Sequence, residues 1–388
     1  MLTLLEKWFI PNNDNTQSPT VRHAYGVLCS VMGICFNILL FTLKLFAGFI
    51  SNSIAIMADA VNNLSDAGSS IITLIGFKLA AQKPDSDHPF GHGRMEYLSG
   101  LFVAIIIMFM GIELMQSSLQ KILHPEALNF SLTIVVILII SILVKCYMAY
   151  YNRKVGKKIN SSAMLATSTD SLSDTISTTV VLIATLVNYF TDLSIDGYCG
   201  ILVGLFILFA GINAAKDTIN PLLGMAPEPE FVQQIENIVM SDDMIIGIHD
   251  LMVHNYGPGR TLISLHAEVP ADGDLIQMHD TIDLLEHKLR DELLCQAVIH
   301  MDPICIHDDL TNELKQMVHT LLEEIDPQLT MHDFRIVTGP THTNLIFDVV
   351  TPYQYKYSDE ELNRMICRKI SEQNDRYFAV IEIDKKYA

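Results

Sequence analysis

Six apolar segments, each long enough to cross a bilayer, constrain this chain more than any other feature. They fall at about 24–50, 54–80, 97–119, 130–151, 162–189 and 196–214. A hydrocarbon core needs roughly 20 apolar residues in helical form to span it. Half of the 388 residues are apolar and the mean hydropathy is positive, at +0.31, which points to several membrane spans. The connections between segments are short. Lys7, Arg22, Lys83, Arg94, Arg153, Lys154, Lys157 and Lys158 all fall on one side of a six-span topology, and the opposite loops are poor in bases. The positive-inside rule then puts both termini in the cytoplasm of a multi-pass protein of the inner or plasma membrane. The N-terminus shows no signal-peptide pattern.

Charge divides the chain. From Pro227 onward there are 30 acids against 12 bases, so nearly all of the net −19 lies in the C-terminal part. The first part is close to neutral. Such acidity argues against nucleic acid as a partner and suits cation handling. The seven cysteines include no CxxC pair, which fits a reduced, cytosol-facing protein. Asn220-Pro221 and Pro227-Glu228-Pro229 end the apolar pattern. Four parts are expected: a cytoplasmic segment at 1–22, a six-helix membrane domain at 23–222, an α+β module at 223–305 and a second module at 306–388.

The first module reads helix-strand-strand-helix-strand. The second repeats it: Met331-His332-Asp333-Phe334 echoes Ile248-His249-Asp250-Leu251, and Gly339-Pro340 to Thr351-Pro352 matches Gly257-Pro258 to Val269-Pro270. Two tandem copies of one unit are the expectation.

Polar residues inside the apolar segments carry the chemistry. Asn62 and Asp66 are four apart, as are Asp170 and Asp174, so each pair points from one helix face. Carboxylates in a spanning helix are costly and mark functional sites. Two such pairs on adjacent helices can close a four-ligand cage of oxygens. An all-oxygen cage suits Mn²⁺ and other hard ions, whereas imidazole or thiolate favours Zn²⁺. Three carboxylates around one divalent ion also provide groups that take up protons when the metal leaves. Asp59, on nearly the same face, is expected to support this site. Lys44, Glu113, Lys145 and Asp196 are expected to pair or to snorkel. Two further clusters offer metal ligands. Asp85, Asp87, His88 and His92 share a loop fixed by Pro89 and two glycines. His249, His266, His279, His300 and Asp302 fall on the strands and helix of the first module, a set suited to Zn²⁺, Mn²⁺ or Fe²⁺.

These residues resemble the cation diffusion facilitators, proton-coupled exporters of divalent metals, over about residues 20–305. Ala58-Asp59-Ala60-Val61-Asn62-Asn63-Leu64-Ser65-Asp66 and Asp87-His88-Pro89-Phe90-Gly91-His92-Gly93-Arg94-Met95-Glu96 carry the likeness. The resemblance implies a homodimer in membrane lipid with six spans, a cytoplasmic metallochaperone-like αββαβ (ferredoxin-like) domain and alternating access. It implies a transport site at Asn62, Asp66, Asp170 and Asp174, a loop site at Asp85, His88 and His92, and a cytoplasmic binuclear site at His249, His266, His279, His300 and Asp302. Zinc members of that family place histidine where Asp170 stands, so the manganese branch is the nearer match. The family's interdomain charge pair uses a base at Arg94 and an acid where this chain has Gly224. The repeat sets His332, Asp348, Glu361, Glu382 and Asp384 opposite the five cytoplasmic ligands. The second module is thus either a duplicated scaffold or a harder, carboxylate-rich metal site. The expected function is export of Mn²⁺ against protons. Fe²⁺, Co²⁺ or Zn²⁺ export is the alternative within transport, and an intramembrane aspartyl hydrolase the alternative outside it.

Overall fold

The computed structural model describes residues 6, 8–11, 18–51, 54–124, 132–191, 196–305 and 307–386. Most of the expected N-terminal segment, residues 130–131 of the fourth apolar segment and the side chains of Asp59 and Asp196 lie outside the described part. The chain divides into two compact units. One comprises Met1–Met225 with Asn255–Arg260, the other Ala226–His254 with Thr261–Ala388.

The first unit is built on six long helices: α1 (Pro19–Ser51), α2 (Ile54–Ala80), α3 (Met95–Leu123), α4 (Leu132–Lys158), α5 (Ser162–Thr191) and α6 (Asp196–Leu223). Among the described residues, four stretches are long and apolar enough to cross a membrane: Thr20–Phe46, Met95–Leu123, Val135–Lys158 and Gly197–Leu223. Helices α2 and α5 are long enough, at 27 and 30 residues, but carry the polar side chains of the candidate transport site. Asp66 and Asp170 turn inward, Asp174 is half-buried and Asn62 is exposed. Asn63, Asp66, Ser69, Ser70 and Thr73 of α2 and Ser168, Asp170, Ser171 and Ser173 of α5 are buried. Several hydroxyls bond back to their own helix, Ser70 to the Asp66 carbonyl and Ser171 to the Thr167 carbonyl. Such back-bonding satisfies a hydroxyl in an apolar setting without a second helix.

Helix α3 packs along α6, α1 along α2 and α4 along α5. The α3–α6 contact depends on absent side chains. A Cβ on Gly111 would lie 2.9 Å from the Leu208 nitrogen, and one on Gly204 would lie 3.0 Å from the Gly111 carbonyl oxygen. The two backbones meet there, as small residues permit between membrane helices. Near the opposite end of α3, Arg22 Nη2 donates to both carboxylate oxygens of the buried Glu96, at 3.0 and 3.1 Å. This pair ties the start of α1 to the first turn of α3. Helix α6 runs through Pro221 to Leu223 rather than stopping at the proline. Gly224 then adopts φ +91°, a left-handed conformation that closes a helix and that an acidic side chain would strain.

The second unit contains α7 (Pro229–Val239), β1 (Gly247–Asn255), β2 (Thr261–Pro270), α8 (Leu275–Leu293) and β3 (Cys295–Ile304), followed by α9 (Asp309–Ile325), β4 (Thr330–Thr338), β5 (Thr343–Pro352), α10 (Asp359–Gln373) and β6 (Tyr377–Lys386). The strands form two three-stranded sheets, ordered β1-β2-β3 and β4-β5-β6. The third strand of each runs parallel to the second. Strands β2 and β5 share one alternating pattern in which every second side chain is buried. Ile263, Leu265, Ala267 and Val269 face the helices of the first module, and Leu345, Phe347 and Val349 those of the second. The period of two therefore turns His266 and Asp348 to the opposite, open faces. Asp250 and Asp333, at matching repeat positions, both have φ +51°. Aspartate is among the few residues that adopt this region readily.

Replacing Gly111 by leucine is expected to destabilise the helical unit by about 1–3 kcal/mol through overpacking against α6. Gly68→Ala, where nothing lies within 4 Å of the new Cβ, is the neutral control. Thermal unfolding of the detergent-purified chain measures both.

Candidate metal centre

Helices α2 and α5 bring Asp66, Asp170 and Asp174 together. Each offers a carboxylate oxygen, and the three oxygens lie within 4.8 Å of one another. A third helix completes the arrangement. Lys145 of α4 donates from Nζ to Asp66 Oδ2 and to Asp174 Oδ2, at 2.6 Å each. The lysine side chain is 5% exposed. Its ammonium is a cation held by two carboxylate oxygens. The charge of the buried Lys44 also acts on Asp66, and Asp170 Oδ1 is buried with no hydrogen-bond partner. A divalent ion would bring more charge and could reach the third carboxylate. Asn62 is placed differently: it is exposed one turn before Asp66, while its neighbour Asn63 is buried.

The loop between α2 and α3 gathers Asp85, His88 and His92. Asp85 Oδ1 accepts from the backbone N–H of His88 at 2.7 Å and of Asp87 at 3.0 Å. The His88 N–H is the main cause holding the Asp85 carboxyl below its ordinary range. Its other oxygen lies 3.4 Å from His92 Nε2, and the two imidazoles are 4.6 Å apart. Asp87 is exposed and falls outside this group. His92 Nδ1 is buried without a partner. Arg94, just beyond, donates from Nε and Nη2 to the Asn255 carbonyl and lies 4.5 Å above the Tyr256 ring. Arg94 is thus satisfied without an acid at position 224.

In the first αββαβ module the β2–β3 register sets His266 beside His300 and Glu268 beside Asp302. His249, His266 and Asp302 converge. Asp302 Oδ2 is 3.0 Å from His249 Nε2 and 2.9 Å from His266 Nδ1, and its Oδ1 is 3.3 Å from His300 Nε2. One carboxylate thus bridges three imidazoles. Burial holds the His249 imidazole below its ordinary range, toward the neutral form that binds metal. His279 is exposed near the start of α8, outside the described groups of converging ligand atoms. Two neighbours escaped the sequence reading. Glu268 Oε1 lies 3.7 Å from His249 Nδ1, and Asp250 Oδ2 lies 3.7 Å from His266 Nδ1. The alternation of β2 sets Glu268 two residues from His266, which was the available signal. The mixed nitrogen and oxygen donors fit a first-row divalent ion.

In the second module His332, Asp348 and Asp384 converge, whereas Glu361 is engaged in the capping box of α10 with Ser358. Glu382 pairs in register with Asp348 but lies outside that group. Burial raises the Asp348 carboxyl to about 6.

A helical unit with buried carboxylates and a lysine, followed by an acidic α/β unit with bridged histidines, describes a membrane transporter of divalent cations. Comparison with known proteins gives the family. Residues 30–223 match the cation efflux transmembrane domain, and residues 227–304 match the cytoplasmic domain of cation efflux proteins. The chain is 34% identical over 273 residues to the transporter MJ0449 of Methanocaldococcus jannaschii, covering 70% of this chain and 96% of that protein. It is 27% identical over 290 residues to the cation-efflux pump FieF of Escherichia coli K12, covering 74% and 96%. FieF of Cronobacter sakazakii is 26% identical over 290 residues, with the same coverage. The chain belongs to the cation efflux family, the cation diffusion facilitators, whose members are membrane transporters that export divalent metal cations.

Lys145→Ala would leave three acids facing one another in a water-poor interior. Breaking a buried ion pair this way is expected to cost about 3–5 kcal/mol. The metal-free variant should therefore melt well below wild type, and a saturating divalent cation should raise its melting temperature more than that of wild type. Thermal unfolding in detergent, with and without metal, provides the check.

Proposed function

We propose that this protein exports divalent metal ions, foremost Mn²⁺, from the cytosol in exchange for protons. The observation that carries this reading is the convergence of Asp66, Asp170 and Asp174 around a buried cationic group. Asp66, Asp170 and Asp174 bind the metal, and Asn62 adds a neutral oxygen once α2 adjusts. The donors are all oxygen, which favours Mn²⁺ over Zn²⁺. Three carboxylates that must discard a divalent ion take protons instead, and this couples the two fluxes. Lys145 acts as a tethered cation. It neutralises part of the carboxylate charge when metal is absent and is displaced when metal enters.

In this reading six helices span the membrane across residues 23–222 and alternate between inward and outward openings. Both termini are cytoplasmic, after an N-terminal segment at 1–22, and the membrane is the inner or plasma membrane. Residues 223–305 and 306–388 are two ferredoxin-like modules. The match to the family's cytoplasmic domain supports a homodimer. Asp85, His88 and His92 offer metal a first stop in the loop. His249, His266, His300 and Asp302 hold regulatory metal in the first module, with His279 joining after rearrangement. The intramembrane hydrolase reading receives no support, because the family's members are transporters.

Purified chain in proteoliposomes under a pH gradient tests the proposal. Mn²⁺ should move only with an opposing proton gradient, and Asp66→Asn should abolish the flux. Asp170→His should shift the preference toward Zn²⁺ by roughly tenfold or more, because an imidazole replaces a hard oxygen donor. Mn²⁺ flux indifferent to the gradient, or selectivity unchanged in Asp170→His, would defeat the respective part.

A further inference from the structure

The two αββαβ modules meet at matching residues. His249 of β1 and His332 of β4 are counterparts in the repeat, and their rings stack 4.5 Å apart at an interplanar angle of 22°. A residue that touches its own counterpart lies near a twofold axis, the signature of an isologous contact. The two halves of this unit therefore face each other as identical subunits would, within one chain.

That seam is rich in ligand atoms. The His249 and His332 side chains are 5% and 13% exposed, and Nδ1 of each is buried with no hydrogen-bond partner. Carboxylates come from both sides. Asp250 Oδ1 lies 3.8 Å and Asp384 Oδ2 lies 3.4 Å from His332 Nε2, and Asp348 Oδ2 is 3.9 Å from its Nδ1. His249, Asp250 and His332 each offer an atom within 4.8 Å of the others. The left-handed backbone at Asp250 interrupts the alternation of β1 and sets two ligand types side by side. A cavity of about 340 Å³ opens between the modules and is lined by His249, Asp250, His332 and Asp384. Buried nitrogens without partners are costly, and carboxylates gathered around one imidazole repel one another. A cation between them would offset both costs.

We propose that a first-row divalent cation binds at this seam beside the stacked His249 ring, held by Asp250 of the first module and His332 and Asp384 of the second. Mixed imidazole and carboxylate donors suit Mn²⁺, Fe²⁺, Co²⁺ or Zn²⁺. Because the ligands belong to both modules, the ion clasps them together and stabilises the soluble unit by binding only its folded form. His332 and Asp384 lie beyond the region matched to the family's cytoplasmic domain, which ends at residue 304. The site does not depend on the transport reading.

Co²⁺ binding to the metal-stripped full chain in detergent tests this, with bound metal counted directly and the visible spectrum recorded. Wild type should bind one more equivalent of Co²⁺ than His332→Ala and Asp384→Asn, and exposed His319→Ala should match wild type. Should His332→Ala fold poorly, His332→Cys keeps a ligand at that position and should add a near-ultraviolet thiolate-to-Co²⁺ band. Equal Co²⁺ counts and spectra in wild type, His332→Ala and Asp384→Asn would overturn the proposal, as would a folded His332→Cys without the band. Vesicle flux, measured separately, speaks only to the transport reading.

Discussion

Carboxylates buried among apolar helices need a positive charge, and the helical unit is arranged around supplying one. Lys145 bridges Asp66 and Asp174 from a third helix. Removing charged groups from water costs several kcal/mol per ion even after relaxation, so this contact stands only because every partner is held in place. Several hydroxyls of α2 and α5 bond back to their own helices, whereas Asp66 and Asp174 accept from the lysine. Asp170 keeps an oxygen without a partner.

The soluble unit solves a different problem with the same alternation used twice. Each central strand gives its apolar face to two helices and its polar face to the open side of the sheet. Parallel pairing then brings side chains from neighbouring strands into register, His266 beside His300 and Asp348 beside Glu382. Metal-ligating groups gather on that face because it is free of the core.

Local spacing reveals which residues share a helix face or a strand face. It placed Asp66 on α2, put Asp170 and Asp174 on α5, and aligned His332 with His249. It did not reveal which of two neighbouring asparagines turns inward: Asn63 is buried and Asn62 exposed. Neighbouring side chains on a helix point about 100° apart, so the rotational setting of α2 about its own axis decides between them. Nor did spacing show that His279 stands apart from the other histidines, since the pose of a helix over a sheet depends on packing. Gly224 resisted a sequence explanation because its role is conformational and lies in φ.

The sequence by itself determined that apolar segments precede an acidic C-terminal part, and that aspartates sit at helical spacing within the apolar part. These are properties of neighbours along the chain, set by periodicity and hydropathy. Only the tertiary structure decided that Lys145 fills the space among the aspartates and that the two modules meet histidine to histidine. Those contacts join residues far apart in sequence, and no local pattern encodes the distance between elements that fold separately and then pack.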